Sequence, residues 1–317
     1  MTPASSPEQP IGLAVKQDPQ PQPGNIVCKI CGAATFEAGK KFGTFRKQFF
    51  HFRRCAECHY TFVSNPWTDF PAIYSDDYYH GKGPDPLSDY YAELSNYERT
   101  IRRYEWRGIF SAVASLVALD RGTKWLDFGC GSGGLARYAC SRGIVAIGCE
   151  DGSIASQARS KGLTVLRSAE LSGYGGSFDV VTAIEVVEHL TEPMETLRQI
   201  RRLLKPGGLF FYTTGNAKPY RKRLLEWSYC VPEIHVGFFE PATMRIALAN
   251  AGFRPEFGQY LPGFEEMMRY RILKNIGCKQ QSAWERALPW TIISRVVQIL
   301  VQALAHPIGW ADGPCTQ

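Results

Sequence analysis

Four cysteines near the start of the chain are arranged to hold a metal ion. Cys28 and Cys31 form one C-x-x-C pair, Cys55 and Cys58 form a second, and 23 residues separate the two pairs. Four thiolates at this spacing are typical of a zinc ribbon, a closed tetrahedral site that leaves no coordination position for catalysis. The pattern therefore predicts a structural Zn²⁺ that contributes to folding.

A glycine-rich segment, LDFGCGSGG at residues 126–134, is suited to bind a cofactor. Glycines after a strand let the backbone turn sharply and approach a ligand, and the helix that follows offers free N–H groups. The carboxylate of Asp127 would repel the pyrophosphate of a dinucleotide but attract the ammonium and sulfonium of S-adenosylmethionine (SAM). Glu150, 21 residues after Gly129, is placed to accept hydrogen bonds from ribose hydroxyls. The segment therefore favours SAM.

A third group lies in EVVEHL, where Glu185, Glu188 and His189 share one face of a helical turn, and His235 follows later in the chain. Three interpretations stay open. A carboxylate or imidazole could take the proton from the acceptor, or all four side chains could hold a second, divalent metal that binds the acceptor oxygen. In the third interpretation, Glu185 contacts the cofactor and His189 caps a turn.

The elements that position these residues follow from hydrophobic periodicity. From Lys124 to Thr214, short apolar strands alternate with amphipathic helices. This alternation predicts a parallel sheet covered by helices on both faces. The chain has 317 residues, 44% hydrophobic content and a formal net charge of +6, which suits one sizeable core with a smaller module and tolerates an anionic substrate.

In order and spacing, several segments resemble the class I SAM-dependent methyltransferases, with a core of the type 11/23 kind. They are LDFGCGSGG (126–134), Glu150, SFDVVTAIEVVEHL (177–190), LRQIRRLLKPGGLFFYTT (197–214) and HVGFFEPATMRIALANAGF (235–253). The resemblance implies an α/β fold, with a Rossmann-like, seven-stranded, mostly parallel sheet whose last strand is antiparallel. It also implies SAM above the first two strand ends and a substrate lid after the fifth strand.

Residue by residue, the loop motif and the resemblance give a cofactor site and a set of candidate bases. The predicted SAM-binding residues are Asp127, Gly129, Gly131, Gly133, Glu150, Asp151, Ser168, Ala169 and Glu185. The candidate catalytic bases are His189, His235, Glu188 and His80. The E-x-x-E-H pattern also resembles that of ubiquinone-pathway O-methyltransferases and small-RNA terminal 2′-O-methyltransferases, in which it binds a metal.

The ribbon followed by Y-x-x-D-Y-Y and a SAM core is similar to zinc-ribbon methyltransferases of sugar and cell-surface polysaccharide pathways. This resemblance implies methyl transfer to a small anionic acceptor, such as a nucleotide-linked sugar or a glycan precursor. The cations of KPYRKR (218–223) would grip a phosphate, and Tyr78, Tyr79 and His80 would line the mouth of the site.

Two other functions stay open. Residues 40–54, KKFGTFRKQFFHFRR, interleave cations with five phenylalanines, so the ribbon could dock RNA for an RNA methyltransferase; otherwise these aromatic residues pack on the core. The chain could also be a catalytically silent SAM-binding scaffold.

The expected domains run along the chain in five parts. They are a disordered tail (1–25), the zinc ribbon (26–65), a linker with helices (66–120), the SAM-binding core (121–262) with a lid at about 215–240, and a C-terminal helical extension (263–317). The last long apolar helix could pack on the core, form a dimer contact or lie on a membrane surface. With ten cysteines and no export signal, we expect a cytoplasmic protein.

Overall fold

The computed structural model of the chain describes residues 26–84, 89–257, 261–303 and 313–316. The strands are β1 (Thr35–Gly43), β2 (Gln48–Cys55), β3 (Thr61–Val63), β4 (Lys124–Phe128), β5 (Val145–Cys149), β6 (Val165–Leu166), β7 (Phe178–Ile184), β8 (Leu204–Thr213), β9 (Gly237–Phe238), β10 (Arg254–Pro255) and β11 (Gly313–Thr316). The helices are α1 (Phe70–Ile73), α2 (Asp76–Tyr79), α3 (Tyr90–Ser95), α4 (Arg102–Leu116), α5 (Gly134–Ser141), α6 (Ile154–Ser160), α7 (Pro193–Leu203), α8 (Pro241–Asn250), α9 (Phe264–Asn275), α10 (Ala283–Arg286) and α11 (Trp290–Ala303). The expected disordered tail, 1–25, lies outside the described residues.

The large sheet has the order β10-β11-β8-β7-β4-β5-β6. Its β8-β7-β4-β5-β6 part is parallel, which confirms the α/β class. Beyond β8, the short segments β11 and β10 pair antiparallel. Because these two edge segments are so short, the expectation of seven full strands is not confirmed.

Successive residues of the central strands face opposite layers. In β4, Trp125 belongs to a core cluster with α4 and α5, whereas Leu126 belongs to a second cluster with α7 and α8. Both side chains are fully buried, as expected for a strand with helices on each side. The carboxyl ends of β4, β5 and β7 thus carry the glycine loop, Glu150 and Glu185 to one edge of the sheet.

A second sheet has the order β1-β2-β3-β9, and its strand β2 ends at Cys55. Its fourth strand, β9, comes from the predicted lid and pairs antiparallel with β3. The ribbon is therefore joined to the lid by backbone hydrogen bonds. The domain boundary at residue 65 stays a prediction.

Behind the core, α9 packs along α4, and α11 packs against α9. This packing places the described part of the C-terminal extension against the N-terminal helices. Within the described residues, no helix combines the length and the apolar character needed to cross a bilayer.

Candidate active site

The glycine loop connects β4 to α5 and depends on residues without a β-carbon. Gly129, Gly131 and Gly133 have φ of 72°, 52° and 75°, values in the left-handed region that favours glycine. A Cβ on Gly129 would lie 2.6 Å from Val186 Cγ2, and one on Gly131 would lie 2.7 Å from the Tyr90 ring. Both the backbone conformation and the close neighbours therefore require glycine.

Glu150, at the end of β5, is tied to this loop. Its Oε2 accepts a hydrogen bond from the Gly131 N–H at 2.9 Å, and its Oε1 accepts from the Gly152 N–H at 2.8 Å and from the Tyr79 hydroxyl at 3.1 Å. Burial raises the pKa of this carboxyl. Glu150 therefore orients the loop, and its contact with a ribose stays a prediction.

Asp127, in β4, is almost fully buried. The Thr182 hydroxyl donates to its Oδ1 at 2.8 Å, and the Trp125 indole N–H donates to Thr182 at 2.9 Å. Burial raises the pKa of Asp127 to about 7. It borders a small cavity together with Arg102 and Gly129, so a cationic ligand there would meet a fixed carboxylate.

The other predicted cofactor residues lie beside β5 and β6. Asp151 accepts hydrogen bonds from the Ser168 N–H at 2.9 Å and from the Ser168 hydroxyl. Ala169 follows in an exposed 3₁₀ turn, Ser168–Tyr174. The structure therefore brings Asp151 and Ser168 together, and their contact with an adenine stays a prediction.

Glu185 has a φ of 54° just after β7, a strained conformation for a residue with a side chain. Its carboxylate accepts from Thr213 Oγ1 at 3.0 Å, from the Tyr229 hydroxyl at 2.9 Å and from an Arg271 nitrogen at 2.7 Å. Burial opposes ionisation, but the Arg271 charge and the hydroxyl donors outweigh it and lower the pKa of Glu185 to about 2. These contacts hold the strained turn in place.

Glu188, three residues after Glu185, is fully buried. It accepts from Thr214 Oγ1 at 2.8 Å and is hydrogen-bonded to the Tyr229 hydroxyl. Burial and the neighbouring Glu185 raise the pKa of Glu188 to about 8. Tyr229 has a single hydroxyl proton and can donate it to only one of the two carboxylates at a time, so protonation of Glu188 would satisfy both contacts.

Two histidines adjoin Glu188. The rings of His189 and His235 meet at 4.9 Å between centroids, and one ligand atom from each of the three side chains lies within 4.8 Å of the others. His235 Nδ1 lies 2.5 Å from the Tyr229 carbonyl, which can only accept, so Nδ1 carries a proton; in the neutral ring the lone pair is then on Nε2. His189 Nδ1 contacts the Tyr74 hydroxyl at 3.1 Å.

Two other predicted residues, Glu185 and His80, lie outside the cluster of Glu188 and the two histidines. Glu185 is not a member of the Glu188–His189–His235 group, because it is engaged by Arg271. His80 is exposed, stacks on Tyr91 at 4.0 Å and has its Nδ1 2.8 Å from the Asp76 carbonyl. The predicted role of His80 as a base thus has no support from its contacts.

The lid carries His235 and brings its ring against His189. Its aromatic residues stack in sequence, Tyr220 on Trp227 at 4.6 Å and Trp227 on Tyr229 at 4.8 Å. The Val236 N–H donates to the Glu188 carbonyl at 2.8 Å. The lid is therefore fastened to the turn that carries Glu188.

The four paired cysteines converge at the base of the ribbon. Cys28 and Cys58 sulfurs are 3.5 Å apart, Cys31 and Cys55 sulfurs are 3.4 Å apart, and all four lie within 4.8 Å of one another. Tetrahedral Zn–S bonds of about 2.3 Å require sulfur separations of about 3.8 Å. This geometry fits the predicted metal.

Sequence reasoning missed four side chains that organise the site. They are Tyr74, Arg102, Tyr229 and Arg271. Tyr74 opens the Y-x-x-D-Y-Y motif and Tyr229 lies in the predicted lid, but neither feature indicated these contacts, and Arg271 lies 86 residues from its partner Glu185. A tyrosine or arginine in a helix or lid has no local signature for such a contact.

Comparison with known proteins agrees with this architecture. A family described as a methyltransferase domain matches residues 97–256. A ubiquinone biosynthesis O-methyltransferase of Thiobacillus denitrificans is 32% identical over 153 residues, 43% of this chain and 66% of that protein. One from Cereibacter sphaeroides is 35% identical over 108 residues, 31% of this chain and 44% of that protein. The chain thus spans between 44% and 66% of the length of these curated relatives.

Among solved structures, a SAM-dependent methyltransferase from Mesorhizobium loti is 17% identical with a TM-score of 0.47, and the match covers 68% of this chain and 100% of that one. Human N-acetylserotonin methyltransferase in complex with SAM is 17% identical with a TM-score of 0.45, over 60% of this chain and 55% of that one. From the family match, which spans half of its length, the chain belongs to the methyltransferase domain family.

Proposed function

We propose that this methyltransferase transfers the methyl group of SAM to a hydroxyl oxygen of a small acceptor, beside a divalent cation held by Glu188, His189 and His235. The observation that carries the proposal is the convergence of these three side chains within 4.8 Å, next to the β7 end. A carboxylate and two imidazoles suit several divalent ions. The oxygen acceptor is supported by the names of the curated relatives, which are O-methyltransferases.

In this site, the residues of the chain mainly align the reactants. Asp127 would face the ammonium of SAM, Glu150 would accept from its ribose, and the glycine loop would let the cofactor approach the backbone. Sulfonium is a good leaving group, so catalysis needs alignment and removal of the acceptor proton. A bound divalent cation would supply Lewis acidity toward the acceptor oxygen. The lone pair on His235 Nε2 would serve as cation ligand.

The chemical class of the acceptor is argued from the lid and from the relatives. The sugar or glycan acceptor expected from the ribbon layout has no support among the relatives, whose names specify a different pathway. Arg221, one of the predicted phosphate-binding cations, is paired with Glu240. Lys218, Lys222 and Arg223 are exposed on the lid and support an acceptor with an anionic group.

RNA is the second candidate acceptor because the ribbon hairpin is not wholly packed. Phe50 and Phe52 are buried, as the core-packing interpretation expects, but Phe42, Phe45 and Phe49 are between 44% and 49% exposed. Lys40 lies over the Phe49 ring at 4.8 Å.

Methyl-labelled SAM incubated with a cell extract separates the two candidate acceptors. Label in the small-molecule pool supports the small hydroxyl acceptor, and label in RNA supports RNA.

Binding of SAM should depend on pH through Asp127. Its pKa is raised to about 7 in the free protein, whereas the SAM ammonium favours the ionised form. The affinity should therefore be full above pH 7 and fall as the pH drops below 7, by up to about tenfold per unit. Calorimetry with Asp127→Asn tests this, because the variant should bind SAM weakly and lose that pH dependence. An unchanged profile in the variant would contradict the role of Asp127.

We also propose that Cys28, Cys31, Cys55 and Cys58 hold a structural Zn²⁺. The purified protein should contain about one zinc ion per chain, and Cys55→Ser should lower both the zinc content and the unfolding temperature. Cys149→Ser is the matched control, since Cys149 is a buried cysteine outside the cluster. Metal analysis that finds equal zinc in both variants would disprove the assignment.

A further inference from the structure

The described part of the C-terminal extension exposes an unusual number of large apolar side chains. They are Ile276, Trp284, Leu288, Ile292, Val296 and Ile299, and we refer to them as the C-terminal apolar surface. Ile292 and Ile299 are 63% and 62% exposed. Apart from the hairpin aromatics and Phe70, the other exposed large hydrophobic residues of the described chain are Val27, Val145 and Ile246. Isolated apolar residues are ordinary on a surface, whereas a cluster marks an interaction site.

Helical spacing places three of these residues on one side of α11. Ile292, Val296 and Ile299 recur at i, i+4 and i+7, so they follow one stripe; Trp284 of α10 and Leu288 in the turn after it precede this stripe in the chain. The opposite side is anchored, because Ser294 is buried and Arg269 of α9 lies over the Trp290 ring at 5.1 Å. The extension is thus fixed to the core by one face and presents the other to its surroundings.

The charges around the stripe are positive. Arg286 and Arg295 are exposed beside it. Between residues 276 and 299 the one acidic residue is Glu285, which is buried and paired with Arg269. Two acidic residues of flanking elements contact this region. Asp89 forms an ion pair with Lys279, and Glu265 accepts a hydrogen bond from the Thr291 hydroxyl. The exposed side therefore combines apolar groups with cations.

We propose that the C-terminal apolar surface docks on an anionic lipid bilayer, with α11 lying in the plane of the interface. Apolar side chains with a tryptophan and flanking arginines are the composition of an interfacial helix. Anionic headgroups provide the countercharge that the surface lacks. A second copy of the chain would instead bring arginines toward arginines without that countercharge. Lipid therefore matches both properties of the surface.

Sedimentation of the full-length protein with lipid vesicles tests the proposal. Vesicles of phosphatidylcholine with phosphatidylserine are compared with vesicles of phosphatidylcholine alone. The wild type should sediment with the anionic vesicles, and Ile292→Ser/Ile299→Ser should lower the partition coefficient by at least about tenfold. Arg286→Gln/Arg295→Gln should lower it by about tenfold on anionic vesicles and leave weak binding to neutral ones unchanged.

Matched control variants show whether vesicle binding depends on this surface or on any exposed cation or apolar side chain. Ile246→Ser removes an exposed helical isoleucine elsewhere, and Arg121→Gln/Lys161→Gln removes two exposed cations elsewhere; both should bind vesicles like the wild type. All variants should keep the unfolding temperature and SAM affinity of the wild type, which also separates this proposal from the proposed function.

Three outcomes would overturn the proposal. The first is a wild type that stays in the supernatant with both kinds of vesicle. The second is a dimer in sedimentation velocity that Ile292→Ser/Ile299→Ser dissociates, without vesicle binding. The third is vesicle binding that falls as much in the control variants as in the stripe variants.

Discussion

Replacing Glu188 by glutamine should reduce turnover by about 10²- to 10⁴-fold while leaving the unfolding temperature and SAM affinity nearly unchanged. The buried Glu188 is hydrogen-bonded to Thr214 and Tyr229, and a neutral amide of the same shape can keep hydrogen bonds there. An amide cannot supply the anionic oxygen that a divalent cation prefers. Kinetics with single-turnover analysis, calorimetry with SAM and thermal unfolding measure the three quantities.

A second substitution separates the cation site from packing. His235→Ala should lower both the affinity for Mn²⁺ and turnover, whereas His51→Ala, at a half-buried histidine of the ribbon, should change neither. Wild-type turnover in Glu188→Gln would show that the carboxylate at this position is dispensable and would refute the cation site. Loss of folding in Glu188→Gln would instead show that the hydrogen-bond network needs the acid itself.

Gly129→Arg should weaken SAM binding by about a thousandfold or more, equivalent to about 4 kcal/mol. A side chain here starts 2.6 Å from Val186 and would fill the place where the cofactor approaches the loop. Its positive charge would also oppose the cationic SAM. Calorimetric titration with SAM gives the change in affinity.

Gly162→Arg provides the matched control for Gly129→Arg. Gly162 has a φ of +83°, and a Cβ there meets nothing within 4 Å, so it carries the same backbone strain without the clash. Gly162→Arg should lose about 1 kcal/mol of stability from this strain, and Gly129→Arg should lose more because of its contact with Val186. Equal SAM affinity in the two variants would show that the glycine loop is not the cofactor site.

Much of the fold could be predicted because its signals are local. The apolar strands, the glycine loop and the C-x-x-C pairs each need only neighbouring residues to be recognised. The structure confirms the parallel sheet and brings the four cysteines together. The backbone conformation at Gly129 and Gly131 could also be predicted from neighbouring residues, since a turn with positive φ requires glycine.

The rest of the site depends on contacts that are distant in sequence. Tyr229 meets Glu185 across 44 residues, and Tyr74 meets His189 across 115. The E-x-x-E-H pattern suggested a four-residue metal cage, but the Arg271 ion pair removes Glu185 from it. Such pairings depend on how helices and the lid pack, which periodicity does not encode. The pairing of β9 with the ribbon sheet was missed for the same reason.

Methyl transfer after chelation tests whether the reaction depends on the cation held by Glu188, His189 and His235. The enzyme is treated with a chelator in excess over the Glu188–His189–His235 site. It is then incubated with methyl-labelled SAM and an extract of hydroxyl-bearing small metabolites, with and without added Mg²⁺ or Mn²⁺. We expect alkali-stable label in the small-molecule pool, and only after the cation is restored. This label should be lost in Glu188→Gln and in Gly129→Arg. Equal labelling without cation, or label confined to RNA, would contradict this expectation.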